Sequence, residues 1–195
     1  MQEIKPILSV VAILLAIVGY IPYFRDILRG KTTPHVYTWF IWGFITLIVF
    51  AQQKSFGGGV GSWVSLAVVI ISIFVFILGM KNGKKDITKT DTLFFVLALA
   101  ALLLWLVAKQ PILSAVLISS IDMLGFVPTL RKSWNKPYSE TLFTYKIGAF
   151  RHCLTFLALE QYSIMTWLNP VSWIFANTLF SIILIVRRKK IGQVI

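Results

Sequence analysis

Cysteine occurs once in this chain of 195 residues, histidine twice and acidic residues only seven times. The lone Cys153 excludes an intrachain disulfide, and one cysteine with two distant histidines excludes a Cys/His zinc site. Catalytic signatures are also missing. There is no carboxylate pair in mid-segment, no H-E-x-x-H, no glycine-rich phosphate loop and no nucleophile elbow. Gly57-Gly58-Gly59 lies between apolar runs and reads as a flexible turn. The expectation is a protein that is not an enzyme, with no catalytic residues, no metal and no cofactor.

Charge is scarce as well. Charged residues make up 13% and hydrophobic ones 57%, where globular domains average roughly 25% charged. With a mean hydropathy of +0.82, a soluble protein of this size would have nowhere to hide its apolar surface, so the solvent for most of the chain is lipid. The net charge of +12 would suggest nucleic acid in a soluble domain. Here the basic residues sit in short runs between apolar segments, the pattern of cytoplasmic loops. The bilayer is the expected partner and nucleic acid is not. The first segment begins at Glu3 and Lys5 and lacks a small-residue cleavage site, so it reads as a retained helix rather than a signal peptide.

Seven apolar segments approach the ~20 residues needed to cross the hydrocarbon: Pro6–Phe24, Val36–Ala51, Val60–Met80, Thr92–Ala108, Pro111–Leu130, Leu142–Leu159 and Ile164–Val186. The second and fourth are short and fit only by extending into the interface or thinning the bilayer. No sustained period of two suggests a barrel. Lysine and arginine give the orientation. Arg25, Arg29 and Lys31 follow the first segment. Lys81, Lys84, Lys85 and Lys89 follow the third, Arg131, Lys132 and Lys136 the fifth, and Arg187, Arg188, Lys189 and Lys190 the seventh. These fourteen face only Lys5, Lys54 and Lys109 on the other side, while Lys146 and Arg151 lie within the sixth segment. The bias puts the N-terminus outside and the C-terminus in the cytoplasm.

The chain repeats itself. Gly19-Tyr20-Ile21-Pro22 matches Gly125-Phe126-Val127-Pro128, and at the same offset Arg25 falls on Arg131, Thr33 on Ser139, Thr38 on Thr144, Ile41 on Ile147 and Phe44 on Phe150. Gly61-Ser62-Trp63 pairs with Val171-Ser172-Trp173. The predicted fold is all-α: two parallel three-helix bundles, residues 1–80 and 111–195, joined by a linker helix with its loops, residues 81–110. An odd number of spans between the copies keeps them in one orientation.

This plan resembles the SWEET sugar carriers and PQ-loop transporters. Their Pro-Gln signature at the cytoplasmic ends of helices 1 and 5 stands here as Pro22-Tyr23 and Pro128-Thr129, so the proline matches twice and the glutamine is missing twice. Lys31-Thr32-Thr33-Pro34-His35 with Trp39 and Trp42, and the second-copy run through Ser139-Glu140-Thr141, look like a group of small bacterial membrane proteins, which implies the bacterial inner membrane. The resemblance implies proline hinges, met by Pro22, Pro34 and Pro128. At the fourth hinge place stands Glu140. For each proline the plainer reading is that it starts or ends a helix. Sugar carriers of this plan use an asparagine in helices 3 and 7. Asn177 meets the second, but Ala67 stands at the first, so a two-asparagine sugar clamp is absent.

Charges inside the apolar segments carry the site, because each is costly in lipid. Asp122 lies roughly 12 Å from the cytoplasmic end of its segment, near the midplane. It belongs to a stripe of small and polar residues, Ala115, Ser119, Asp122, Gly125 and Thr129, which faces protein or water. It reads as a proton site, a substrate contact or a structural charge partner. Arg151, roughly 15 Å deep, shares a face with Thr144, Gly148 and Thr155. Matching depth predicts an Asp122–Arg151 ion pair, with Lys146 the alternative partner. His152 reads as hydrogen-bonded filler or a proton relay. Trp173, Asn177 and Ser181 share a face of the last segment, and Asn177 reads as a substrate contact or a packing hydrogen bond. Trp63 reads as an interfacial belt residue.

The expected function is transport of a small polar solute by alternating access, with Asp122, Arg151, Trp173, Asn177 and Ser119 as substrate-binding residues. The charges of Asp122, Lys146 and Arg151 sum to +1, which leans toward a carboxylate-bearing solute. The alternative is a non-transporting receptor, chaperone or assembly factor on the same scaffold. The sequence leaves homo-oligomerisation open.

Overall fold

The computed structural model describes residues 3–82, 87–107 and 110–192. Lys84, Lys85, Ala108 and Lys109 of the sequence argument lie outside them. Seven α-helices follow one another: α1 (Ile4–Leu28), α2 (Val36–Ser55), α3 (Ser62–Asn82), α4 (Lys89–Val107), α5 (Pro111–Asn135), α6 (Leu142–Ala158) and α7 (Ile164–Gly192). Short 3-10 turns occupy Gly59–Gly61 and Pro137–Ser139, and no strand occurs among the described residues. Several helices run past their apolar cores. α5 and α7 end in basic turns, Lys132 in one and Lys189 and Lys190 in the other, where cations meet the negative end of the helix dipole.

Among the described residues five helices, α1, α2, α3, α5 and α7, are long and apolar enough to cross a membrane, so the chain is an integral membrane protein. Seven such helices were expected. Of the other two, α6 has 17 residues with Lys146 and Arg151 among them, and α4 is an apolar helix of 19 residues whose side chains are described only in part. A helix whose polar groups are covered by protein need not be apolar enough to face lipid.

The helices are built inside out relative to a soluble protein. α1 buries Ser9, Ala12, Ala16, Gly19, Tyr23 and Ile27, a stripe at three- and four-residue spacing that is mostly small. It exposes Ile7, Val10, Leu14, Ile17, Val18 and Ile21. Large apolar side chains outward and small ones inward suit a lipid solvent, in which helices gain by close approach rather than by burying oil.

Contacts between the connections fix which ends lie together. The Thr33 amide donates to the Ser139 carbonyl at 3.2 Å, Arg188 donates to the Pro137 carbonyl at 3.0 Å, and Arg131 pairs with Asp91 at 2.7 Å. The α1–α2 turn, the start of α4, the end of α5, the start of α6 and the end of α7 therefore gather at one end, here called the basic end. At the opposite end Lys5 donates to the Leu159 carbonyl at 2.6 Å and the Val60 amide to Glu160 at 3.2 Å. Gly30, at φ +69°, turns the chain out of α1 in the left-handed conformation that glycine adopts without strain.

The principal neighbours are α3 with α1 and α2, α7 with α5 and α6, α1 with α6, α2 with α5, and α4 with α5. Exchanging α1 with α5, α2 with α6 and α3 with α7 carries the α1–α6 contact into α5–α2. Pro22 and Pro128 lie inside α1 and α5. Pro34 does not lie inside a helix. It sits just ahead of α2, whose first residue is Val36.

Candidate functional site

Where α2 carries Trp42, the repeat puts Gly148 in α6. Gly148 packs closely against Asn177 of α7, beside a space on the α6–α7 side of the molecule. A cavity opens there among α1, α2, α3, α6 and α7, with about 50 Å³ accessible to the centre of a water-sized sphere. One water needs about 10–15 Å³ by that measure, so the space fits a few waters or one small solute. Its wall is mixed: Tyr20, Trp42 and Trp173 are aromatic, Thr144, Asn169 and Asn177 are neutral and polar, and Arg151 brings a charge.

Arg151 is 4% exposed. Its Nη2 donates to His152 Nε2 at 2.6 Å. A guanidinium can only donate, so that histidine nitrogen accepts and Nδ1 carries the ring proton. The His152 ring stacks on Trp173, with centroids 6.1 Å apart and an interplanar angle of 15°. Asn177 bonds back along its own helix, to the Trp173 carbonyl at 2.9 Å. It also crosses toward α6, where a Cβ at Gly148 would stand 3.1 Å from Asn177 Oδ1. It thus packs two helices and lines the cavity at once.

The expected Asp122–Arg151 ion pair does not form. Among the described residues, Asp122 takes part in no ion pair. Its Oδ2 accepts from Trp173 Nε1 at 2.6 Å and from Asn169 Nδ2 at 2.9 Å, and its Oδ1 is buried without a partner. Equal depth was the ground for the pair, but depth does not say which way each helix is turned. Asp122 points at the start of α7. It stands behind Trp173 and Asn169, which line the cavity in its place. Ser119, one turn earlier on α5, is 8% exposed and is not part of the wall. Lys146 is exposed on the far side of α6. Trp63 is 47% exposed, with Lys54 Nζ 5.2 Å from its ring centroid.

Side-chain contacts cross between the helices toward each end of the cavity. Toward the basic end lies a buried lock around Glu140. Lys132 Nζ reaches Oε1 at 2.5 Å. Tyr23 and Tyr145 donate to Oε2 at 3.0 and 2.9 Å, and Arg188 donates to the Glu140 backbone carbonyl at 2.5 Å. Lys132 also donates to the Thr33 carbonyl. Tyr23 belongs to α1 and Lys132 and Tyr145 to α5 and α6, so the lock spans the two copies of the repeat. Toward the opposite end, Gln53 of α2 donates to the Thr166 carbonyl of α7 at 3.2 Å and accepts from Ser65 at 2.7 Å.

Sequence reasoning placed Lys132 among surface charges and met Glu140 only as a missing proline. The available signal was an acid in a basic loop of a chain with seven acids. Asn169 was not among the expected site residues; it lies on the first turns of α7 and reaches Asp122 of α5, a contact that spacing along one helix does not show. Among the described residues no group of three His, Cys, Asp or Glu side chains gathers as metal ligands would.

The fold and site define an all-helical integral membrane protein with a cavity of mixed aromatic, neutral polar and charged lining among its helices. The chain matches no family model, no curated protein and no solved structure.

Proposed function

We propose that the chain is a transporter of a small polar solute that works by alternating access between two three-helix bundles, α1–α3 and α5–α7, with α4 as the linker. The plan is that of the SWEET and PQ-loop carriers. In this reading all seven helices cross the membrane, the basic end is cytoplasmic and the N-terminus is outside, as the fourteen-to-three split of basic residues favours. The exchange symmetry of the helix neighbours supports two equivalent bundles.

The observation that carries the function is the cavity. A buried cation in mid-membrane is costly to maintain, and this one stands in a cavity lined from both bundles, with side chains that cross between the bundles toward each end. Breaking the Glu140 lock would open it to one side, and parting Gln53 from Thr166 would open it to the other. Pro22 and Pro128, each inside a helix next to a residue that crosses between bundles, are the hinge positions in this scheme. Pro34, ahead of α2, would act at a helix start. Arg151, Trp173 and Asn177 contact the solute, and Asp122 positions Trp173 and Asn169.

Uptake by proteoliposomes of a mixed pool of labelled polar metabolites tests the reading. At least one small solute should equilibrate faster than in protein-free liposomes. Equal rates for every solute would favour a receptor or assembly factor.

A further inference from the structure

Arg151 combines three features that a purely structural arginine does not need. It is nine-tenths buried, it lines the cavity, and no carboxylate among the described residues stands within ion-pair distance of it. One of its five N–H donors is spent on His152. None of its nitrogens is buried without a partner, so the remaining donors face the cavity space. The nearest candidate counter-ions are engaged elsewhere: Asp122 behind Trp173, and Glu140 with Lys132. A buried cation with no counter-ion is expensive, and an incoming anion that supplies the missing charge recovers that cost.

We propose that the cavity binds a small monocarboxylate, with Arg151 taking the carboxylate and Trp42 and Trp173 enclosing the carbon skeleton. This rests on the cavity being a solute site and goes beyond it in naming the solute's chemistry. A planar guanidinium matches a carboxylate in two parallel hydrogen bonds. A single cation suits a single negative charge, and no lysine joins the wall to balance a dianion. The edge-to-face pair of Trp42 and Trp173, 4.9 Å between centroids, offers apolar surface to a short carbon chain. Asn177 and Thr144 are placed to meet a hydroxyl or keto oxygen.

The test is equilibrium binding to the purified full chain in detergent, read by tryptophan fluorescence. The probes are monocarboxylates of two to five carbons, each beside its own primary amide as a neutral twin, with chloride as an inorganic control. At least one acid should bind at least about tenfold more tightly than its amide and than chloride. Arg151→Gln should remove that preference, and Arg151→Lys should keep part of it. Acids and amides binding alike, chloride binding as tightly as any acid, no acid binding at all, or an undiminished preference in Arg151→Gln would overturn the proposal. The comparison within the wild-type protein stands even where a variant fails to fold. Binding without uptake would sink the transport reading and leave this one, and uptake restricted to neutral solutes would do the reverse.

Discussion

Gly125 of α5 lies so close to Ile41 of α2 that a Cβ built on the glycine would stand 2.7 Å from Ile41 Cγ2. The same contact recurs with the copies exchanged, Gly19 of α1 against Ile147 of α6 at 2.9 Å. The repeat aligns Gly19 with Gly125 and Ile41 with Ile147, so one packing solution is used twice. Both contacts join a helix of one copy to a helix of the other. Isoleucine is stiff at χ1 and cannot swing aside. Gly19→Ala and Gly125→Ala should each destabilise the protein by about 1–3 kcal/mol, as overpacking does. Adding Ile41→Ala to Gly125→Ala should recover part of the loss, measured as coupling in a double-mutant cycle of unfolding in detergent. Additive effects would mean that the contact does not hold these helices together.

The lock at the basic end makes a second prediction. Glu140→Gln keeps an oxygen for Tyr23 and Tyr145 but leaves Lys132 buried without its counter-ion. Removing one member of a buried pair costs about 3–5 kcal/mol. Replacing both, Glu140→Gln with Lys132→Met, should return most of that in a denaturant titration. A single variant as stable as wild type would show that the ion pair does not hold this end closed.

The Asp122 side chain touches the cavity wall through Trp173 and Asn169, and its backbone carbonyl accepts from Trp42 at 3.3 Å. Asp122→Asn keeps an acceptor for both donors and should change monocarboxylate binding little. Asp122→Leu strands the buried Trp173 donor at about 1–3 kcal/mol and removes the partner of the half-buried Asn169 amide. It should also release the Trp173 indole, read as a shift in its emission together with weaker binding. If Asp122→Leu bound as well as wild type with unchanged emission, Asp122 would have no part in positioning the site.

A pH effect follows from His35, in the turn ahead of α2. Burial holds its pKa below the ordinary histidine value, reinforced by Lys132 and Arg131 and opposed by Asp91, whose Oδ2 lies 3.4 Å from His35 Nε2. The unfolded chain therefore binds a proton more readily than the folded one as pH falls through the unfolded histidine pKa of about 6.5. Stability tied to His35 is complete above that pKa and declines below it. Melting temperatures at pH 7.5 and 5.5 should differ more for wild type than for His35→Gln. Equal differences would contradict the assignment.

The helices were legible in the sequence because they are written in local pattern, as apolar runs of membrane length. Arg151 and Asn177, singled out by polarity inside an apolar run, and Trp173 stand in the cavity wall. What the sequence did not carry depends on how helices are turned against one another. Asp122 and Arg151 agree in depth, yet the rotation of α5 aims Asp122 at Trp173. The cavity is assembled from five helices, with Gly148 in its wall close against Asn177, and in one dimension that residue reads as an ordinary glycine. The Glu140 lock draws on α1, α5, α6 and α7, segments far apart in sequence, so no spacing rule could have assembled it.

The most direct measurement is the accessibility of Ser72, a cavity-lining residue of α3 that is 1% exposed. With Cys153→Ser as background, a Ser72→Cys protein in proteoliposomes can be challenged with a membrane-impermeant thiol reagent from either side in turn. Alternating access predicts reaction from both sides, since the cavity opens at the basic end in one state and at the opposite end in the other. Reaction from one side only, or from neither, would contradict it.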